Sequence, residues 1–214
     1  MALKNLSGVG CGSTVTYIES DARILIDTGF DFENTLSEEN VKGNRKRLTH
    51  ALKEHGLKPS DIDILFITHW HLDHFGNANM FKNSTIMTSE AAVSRVKLKV
   101  TGVKDGEQIA DGVKIVHTPG HTGDHASVVF KTDRLRHSIL TSTGGRIVGI
   151  GEVTVAVAGD AILTPAFYAT DTIWTQNKDF RSKDDAIASV KKLVDEADYI
   201  IPGHGDIFRN VRKP

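Results

Sequence analysis

Apolar and polar positions change rhythm several times along the chain, and each rhythm predicts an element. Residues 13–27, STVTYIESDARILID, hold two runs rich in β-branched and apolar side chains. They predict two strands around a turn at Glu19-Ser20-Asp21. The second run closes on Ile26-Asp27-Thr28-Gly29, a strand passing into a glycine turn. Over 44–55 the spacing becomes helical. Leu48, Ala51 and Leu52 share one face, Asn44 stands at the N-cap position and Gly56 stops the helix. Ile62-Asp63-Ile64-Leu65-Phe66-Ile67 is almost continuously apolar, the pattern of a strand covered on both faces, and it runs into His69.

Further along, 84–88 reads as a short strand, and Ser89 as the cap of a helix reaching about Val96. Strands follow at 113–117 and 126–131, separated by TPGHTGD. The stretch 139–150 is irregular and glycine-containing, the pattern of an extra hairpin. A strand at 153–158 ends in Gly159-Asp160. Ser182 caps a last helix, 183–197, with Ile187, Val190, Leu193 and Val194 towards the core. A short strand at 199–201 then ends in Pro202-Gly203-His204-Gly205. Strands alternate with helices, yet several strand pairs are hairpin-like. That predicts an α/β architecture of mixed sheets with helices outside, not a doubly wound parallel sheet.

Composition narrows the class. The 214 residues form one compositional regime, which predicts a single domain over 1–214. One cysteine, Cys11, excludes a disulfide scaffold, and no basic neighbour activates it. No apolar run approaches the roughly 18 residues of a membrane span. The start, MALKNLSGVGCGS, lacks the apolar core of a signal peptide, so a cytoplasmic protein without a membrane partner is expected. Lys and Arg number 26 against 27 Asp and Glu, a balance that argues against a dedicated nucleic-acid binder.

The ten histidines change the picture, because most are not scattered. His69-Trp70-His71-Leu72-Asp73-His74 puts four metal-competent side chains within six residues. His121, Asp160 and His204 each follow an apolar strand and sit beside glycine, so separate strand ends can bring all of them to one site. In extended chain His69 and His71 point the same way and can grip one cation, with His121 completing three imidazoles. Asp73 and His74, on the following turn, can face a second cation with His204, and Asp160 can bridge the two. Imidazole and carboxylate ligands suit Zn²⁺, and also Fe or Mn. Without a metal, such crowding would go unrewarded. His50, His55 and His137 read as ordinary surface or helix residues. His125, four residues after His121, is a candidate proton donor to a leaving group.

HWHLDH, TPGHTGDH, AGDAI and IIPGHG, in that order and with ILIDTG ahead of them, resemble the successive motifs of the metallo-β-lactamase superfamily. The match covers about residues 13–206. Within it, HWHLDHFGNANMF, TPGHTGDHASVVF and ADYIIPGHGDIFR resemble the group of metallo-β-lactamase domain-containing protein 1 and its prokaryotic relatives. The resemblance implies a four-layer αβ/βα sandwich of two mixed sheets with a dinuclear site at one edge. It implies His69, His71 and His121 on one ion, Asp73, His74 and His204 on the other, and Asp160 shared. It gives Asp27 the task of holding the ligand loops.

Such a site implies a metal-dependent hydrolase. In such an enzyme a hydroxide supplied between two divalent ions would attack an ester, thioester or lactone, and Asp73 would relay its proton. A small-molecule substrate is expected, RNA is the alternative through phosphodiester hydrolysis, and a homo-oligomer is compatible. A mononuclear iron oxygenase and a non-catalytic metal-binding protein are the other classes on this fold. The helical extension of glyoxalase II and the exosite of the larger processing nucleases are not expected here. Nor does a tyrosine follow the shared aspartate as in the lactonases: Ala161-Ile162-Leu163 stand there, with Tyr168 the nearest substitute. Phe30, Phe32, Phe167, Tyr168 and Trp174 are candidate pocket aromatics, while Trp70 points away from the ligands by alternation.

Overall fold

The computed structural model describes residues 2–3, 12–31, 37–136 and 147–214. Cys11, Phe32, His137 and the 139–146 part of the expected extra hairpin lie outside the described residues. Two six-stranded sheets carry the fold. The first holds, in spatial and chain order, β1 (Ala2–Leu3), β2 (Val15–Glu19), β3 (Arg23–Ile26), β4 (Ile64–Ile67), β5 (Thr85–Ser89) and β6 (Thr101–Val103). The second holds β7 (Gln108–Ala110), β8 (Val113–His117), β9 (Ala126–Arg136), β10 (Ile147–Gly159), β11 (Tyr199–Pro202) and β12 (Phe208–Arg209). Both sheets are mixed. β3 to β6 run parallel, as do β10 and β11, and the other pairs are antiparallel.

Alternation along each strand divides the core into layers. Ile24, Ile26, Ile64 and Phe66 meet Ile115, Val128, Val155 and Val157 between the sheets. The intervening Leu25, Leu65 and Ile67 face outward onto Leu48 and Leu52 of α1 (Glu38–Glu54). On the far side Ala156, Ala158 and Ile200 face Leu193 and Val194 of α4 (Lys183–Glu196). Both faces of both central strands are covered, which is why the sequence there reads as unbroken apolar runs. The result is the expected αβ/βα sandwich.

Three local expectations are corrected. α1 begins one turn and more earlier than 44, capped by Ser37, whose hydroxyl accepts from the Asn40 amide at 3.2 Å. Asn44 lies buried inside the helix and clamps the backbone of Asp31, accepting from its N–H at 2.7 Å and donating to its carbonyl at 2.8 Å. The exposed first turn has no apolar stripe, so periodicity could not find it. Ser89 does cap, but over a 3₁₀ run, Glu90–Arg95, packed against Gly102 of β6. Ile187 of α4 is 49% exposed instead of core-facing, because it lies at the edge of the buried face formed by Ala186, Ser189, Leu193 and Val194.

Candidate metal centre

Each candidate ligand stands just past the end of a strand. His69 follows β4, Asp160 follows β10 and His204 follows β11. His121 follows β8, which runs in the direction of β10 because β9 is antiparallel to both. The carboxyl ends of the strands thus gather at one rim, the usual place for chemistry in α/β sheets. Asp73 and His74 lie in the single turn of α2 (Leu72–Phe75), with His71 at its N-cap.

That turn is held by the loop after β3. The N–H and hydroxyl of Thr28 both donate to the His74 carbonyl at 2.7 Å, and the Phe30 N–H donates to that of Asp73 at 2.7 Å. Asp27, at a left-handed φ of 59°, turns its carboxylate inward. It accepts the Thr68 N–H at 2.9 Å, the Thr68 hydroxyl at 2.8 Å and His74 Nδ1 at 2.7 Å. Two glycines permit the remaining approaches. A Cβ on Gly203 would lie 1.9 Å from Asp160 Oδ1, and one on Gly120 would lie 2.4 Å from the Ala186 backbone of α4.

The seven expected ligands assemble into two groups that share Asp160: His69, His71, His121 and Asp160, then Asp73, His74, Asp160 and His204. Within each group the ligand atoms lie within 4.8 Å of one another. His71 Nδ1 is 2.9 Å from His69 Nε2 and 3.0 Å from His121 Nε2. Asp160 divides its oxygens. Oδ2 is 3.2 Å from His121 Nε2, while Oδ1 is 3.2 Å from His74 Nε2 and 3.4 Å from His204 Nε2. Asp73 Oδ2 is 3.3 Å from His204 Nε2.

A divalent cation fits each group. Two ligands on one tetrahedral zinc, with bonds of about 2.0–2.1 Å, stand about 3.3 Å apart, near the spacings found. His74 Nε2 and Asp160 Oδ1 are buried without a hydrogen-bond partner, poorly aligned with each other although close. Buried polar atoms in that condition are costly unless something else binds them.

The charge states divide along the same line. Burial holds His69 well below the ordinary histidine value and His121 down to about 4, so both imidazoles are neutral. In the second group burial opposes protonation of His74 and His204, but the surrounding carboxylates overcome it. His74 is raised well above its usual value and His204 to about 9. Asp73 and Asp160 are lowered against their burial by the facing histidines.

The far nitrogen of every candidate imidazole also has a neighbour. His69 Nδ1 meets the Thr68 hydroxyl at 3.2 Å, His74 meets Asp27, and His204 Nδ1 meets the Gly12 carbonyl at 3.0 Å. His71 Nε2 faces Asp179 Oδ2 at 3.4 Å, and His121 Nδ1 faces the Asn177 amide at 3.4 Å. Asn177 also donates to the His121 carbonyl at 3.1 Å, and the Arg181 N–H to that of Gly120 at 2.8 Å. Sequence reasoning missed Asn177 and Asp179. They lie in a polar stretch with no periodicity and no motif.

Other candidates fall elsewhere. His125 belongs to neither group. It is 1% exposed, its ring centroid 5.0 Å from that of His69, with Nδ1 on the Thr118 hydroxyl at 2.8 Å and Nε2 unpartnered. Burial pushes its pKa down to about 3. Phe30 is core. Tyr168 is buried too, and its hydroxyl donates to Asn210 at 2.7 Å, so it does not stand in for a lactonase tyrosine. Trp70 packs with the α1 layer, as alternation implied, its indole N–H on the Thr88 hydroxyl at 3.1 Å. Phe167 and Trp174 line a narrow crevice beside His121 and Asp160.

Comparison with known proteins gives this geometry a family. The model of the metallo-beta-lactamase superfamily matches residues 8–204, a span that contains all seven candidate ligands. The chain belongs to the metallo-beta-lactamase superfamily. It is a metal-dependent hydrolase of that superfamily, with donor groups for divalent ions. Metallo-beta-lactamase domain-containing protein 1 of Xenopus laevis is 27% identical over 203 residues, 93% of this chain and 73% of that protein. An N-acyl homoserine lactonase of Bacillus cereus is 27% identical over 143 residues, 55% of this chain and 57% of the lactonase. A solved N-acyl homoserine lactone hydrolase, with product bound at its metal centre, superimposes with a TM-score of 0.61 at 20% identity. That match covers 89% of this chain and 80% of that one. Among the described residues, no helix is long and apolar enough to cross a membrane.

Proposed function

We propose that the protein hydrolyses a carbonyl ester, thioester or lactone, with zinc as the ion in both donor groups. The observation that carries this reading is the division of Asp160, one oxygen to each group at 3.2 Å. Two divalent ions, once bound, supply the charge that lowers the pKa of water from about 16 to about 7 and steadies an oxyanion. His69, His71 and His121 would hold one ion, and Asp73, His74 and His204 the other.

Asp73 takes the proton of the attacking water. Its carboxylate is kept ionised by the histidines that face it, and it lies at the rim where the strand ends meet. His125 receives no donor step in this scheme. Its neutral ring is sealed behind His69 and supports that ring's position. The lactonase likeness supports a carbonyl substrate.

The test is a panel of lactones, thioesters, simple esters, phosphodiesters and single-stranded RNA offered to metal-loaded protein. Turnover of a carbonyl substrate, lost in His71→Ala and His121→Ala, is the expected outcome. RNA cleavage lost in the same variants, with every carbonyl substrate untouched, would replace this reading by a ribonuclease. No turnover on the whole panel would leave a metal-binding protein.

A further inference from the structure

A cavity of about 440 Å³ lies between α3 (Pro165–Ala169), α4 and the chain after Thr170. It is within the size range of small-molecule sites. Its walls are mainly apolar: Ile162, Phe167, Ile173, Val190 and Val194 line it, with the half-exposed Ile187 beside them. Its charged groups are paired with one another. Arg212 holds Asp171 at 2.6 Å, and Lys191 holds Asp195. The pairing leaves no unmatched charge to recruit an anion.

The cavity is also next to the metal centre. Ala161, Phe167, Thr172 and Ile173 line both it and the crevice that ends on His121 and Asp160. The crevice holds only about 10 Å³, no more than one water. Phe167 and Trp174 stand in it with ring centroids 6.1 Å apart. Trp174 is 38% exposed, so one side of it borders solvent.

We propose that this cavity is the seat for an unbranched aliphatic acyl chain, whose carbonyl is presented at the metal centre past Ala161 and Ile173. The inference rests on the hydrolase reading above and narrows it to lipophilic acyl esters, thioesters or lactones. The site's chemistry favours that occupant. The walls are apolar, the ion pairs are internally matched, and the shared wall leads from Asp160 to the cavity.

Two measurements on metal-loaded protein test it. The first is kcat/KM over a series of acyl esters and lactones from two to twelve carbons. Each methylene that enters the cavity should raise it roughly fourfold until the cavity is full. Val190→Phe, which narrows the cavity, should flatten that slope. So should Ile187→Glu, a substitution at a half-exposed position that leaves the core intact. The slope is the readout, so partial loss of folded protein cancels. The second is calorimetric binding of decan-1-ol, which contains no bond to hydrolyse. Wild-type protein should bind it, and Val190→Phe should weaken that binding at least tenfold. Decanol binding without turnover of any carbonyl substrate would sink the hydrolase reading and keep the lipophilic site. A flat slope in wild type, or decanol binding equal in both proteins, would overturn the acyl-chain assignment while leaving ester hydrolysis in place.

Discussion

Asp179 Oδ2 stands 3.4 Å from His71 Nε2, on the side of the ring opposite the nitrogen that faces His69 and His121. A carboxylate there favours a proton on Nε2 and leaves the Nδ1 lone pair for a cation. The pair is partly solvated, with side chains 24% and 32% exposed, so its effect lies at the lower end for such partners. Asp179→Asn should weaken metal binding by about tenfold with an unchanged thermal midpoint. Competition against a chromophoric chelator measures this. Affinity equal to wild type would remove Asp179 from the site.

The two aspartates at the centre should fail differently. Asp160→Asn replaces a carboxylate that faces both groups by an amide, which bridges two cations poorly. Metal content should fall below about two ions per chain by elemental analysis. Asp73→Asn keeps one face of the second group but removes the proton acceptor. It should lower turnover by about a hundredfold or more while the fold, followed by circular dichroism, is retained. A wild-type rate in Asp73→Asn would show that another group takes the proton.

Protein stripped of metal should be most stable near neutral pH. His121 titrates near 6.5 when unfolded and near 4 when folded, because burial disfavours its charge. The unfolded chain therefore binds more protons in that window, and stability is lost as pH falls from about 6.5 to 4. His125, lowered by burial to about 3, acts in the same direction. His204 is raised to about 9 by Asp160 and Asp73 in spite of its burial. Its contribution is complete below about 6.5 and lost as pH rises to about 9. A bound cation needs His204 neutral, so the alkaline loss should vanish in metal-loaded protein. Urea melts of both forms at about pH 5, 7 and 9 decide it. Parallel alkaline losses in the two forms would place the proton elsewhere.

The sandwich was legible because its signals are local. Ile24, Leu25 and Ile26 alternate between two covered faces, and that alone produces an unbroken apolar run before Asp27. The gathering of the candidate ligands was legible for the same reason, since histidine and aspartate beside glycine at a strand end are visible one strand at a time. Relations between distant segments left no such mark. Nothing around Asp179 points to His71, far earlier in the chain, and nothing around Asn44 announces that its amide holds Asp31. Ile187 continued the helical stripe of α4, yet the buried face runs through Ala186, Ser189 and Leu193, and Ile187 at its edge lines a cavity.

RNA binding should be weak and only mildly salt-dependent, because carboxylates already accompany several of the basic runs. Arg47 of the Arg45-Lys46-Arg47 run lies 3.4 Å from Asp31. Arg95 reaches Asp124 at 3.2 Å, Lys191 pairs with Asp195, and Lys192 reaches Asp105 at 3.3 Å. A phosphate must displace a carboxylate to use any of these cations, and such exchange releases little counterion. Each phosphate neutralised on a single strand contributes roughly −0.7 to the slope of log affinity against log salt. With these four cations already matched, the slope should be no steeper than about −1.5, two phosphates' worth. A titration of a single-stranded RNA from low to physiological salt measures it, run beside the small-ester assay. A slope of about −4 or steeper would require a basic track of six or more phosphates and would move the substrate from a small carbonyl compound to RNA.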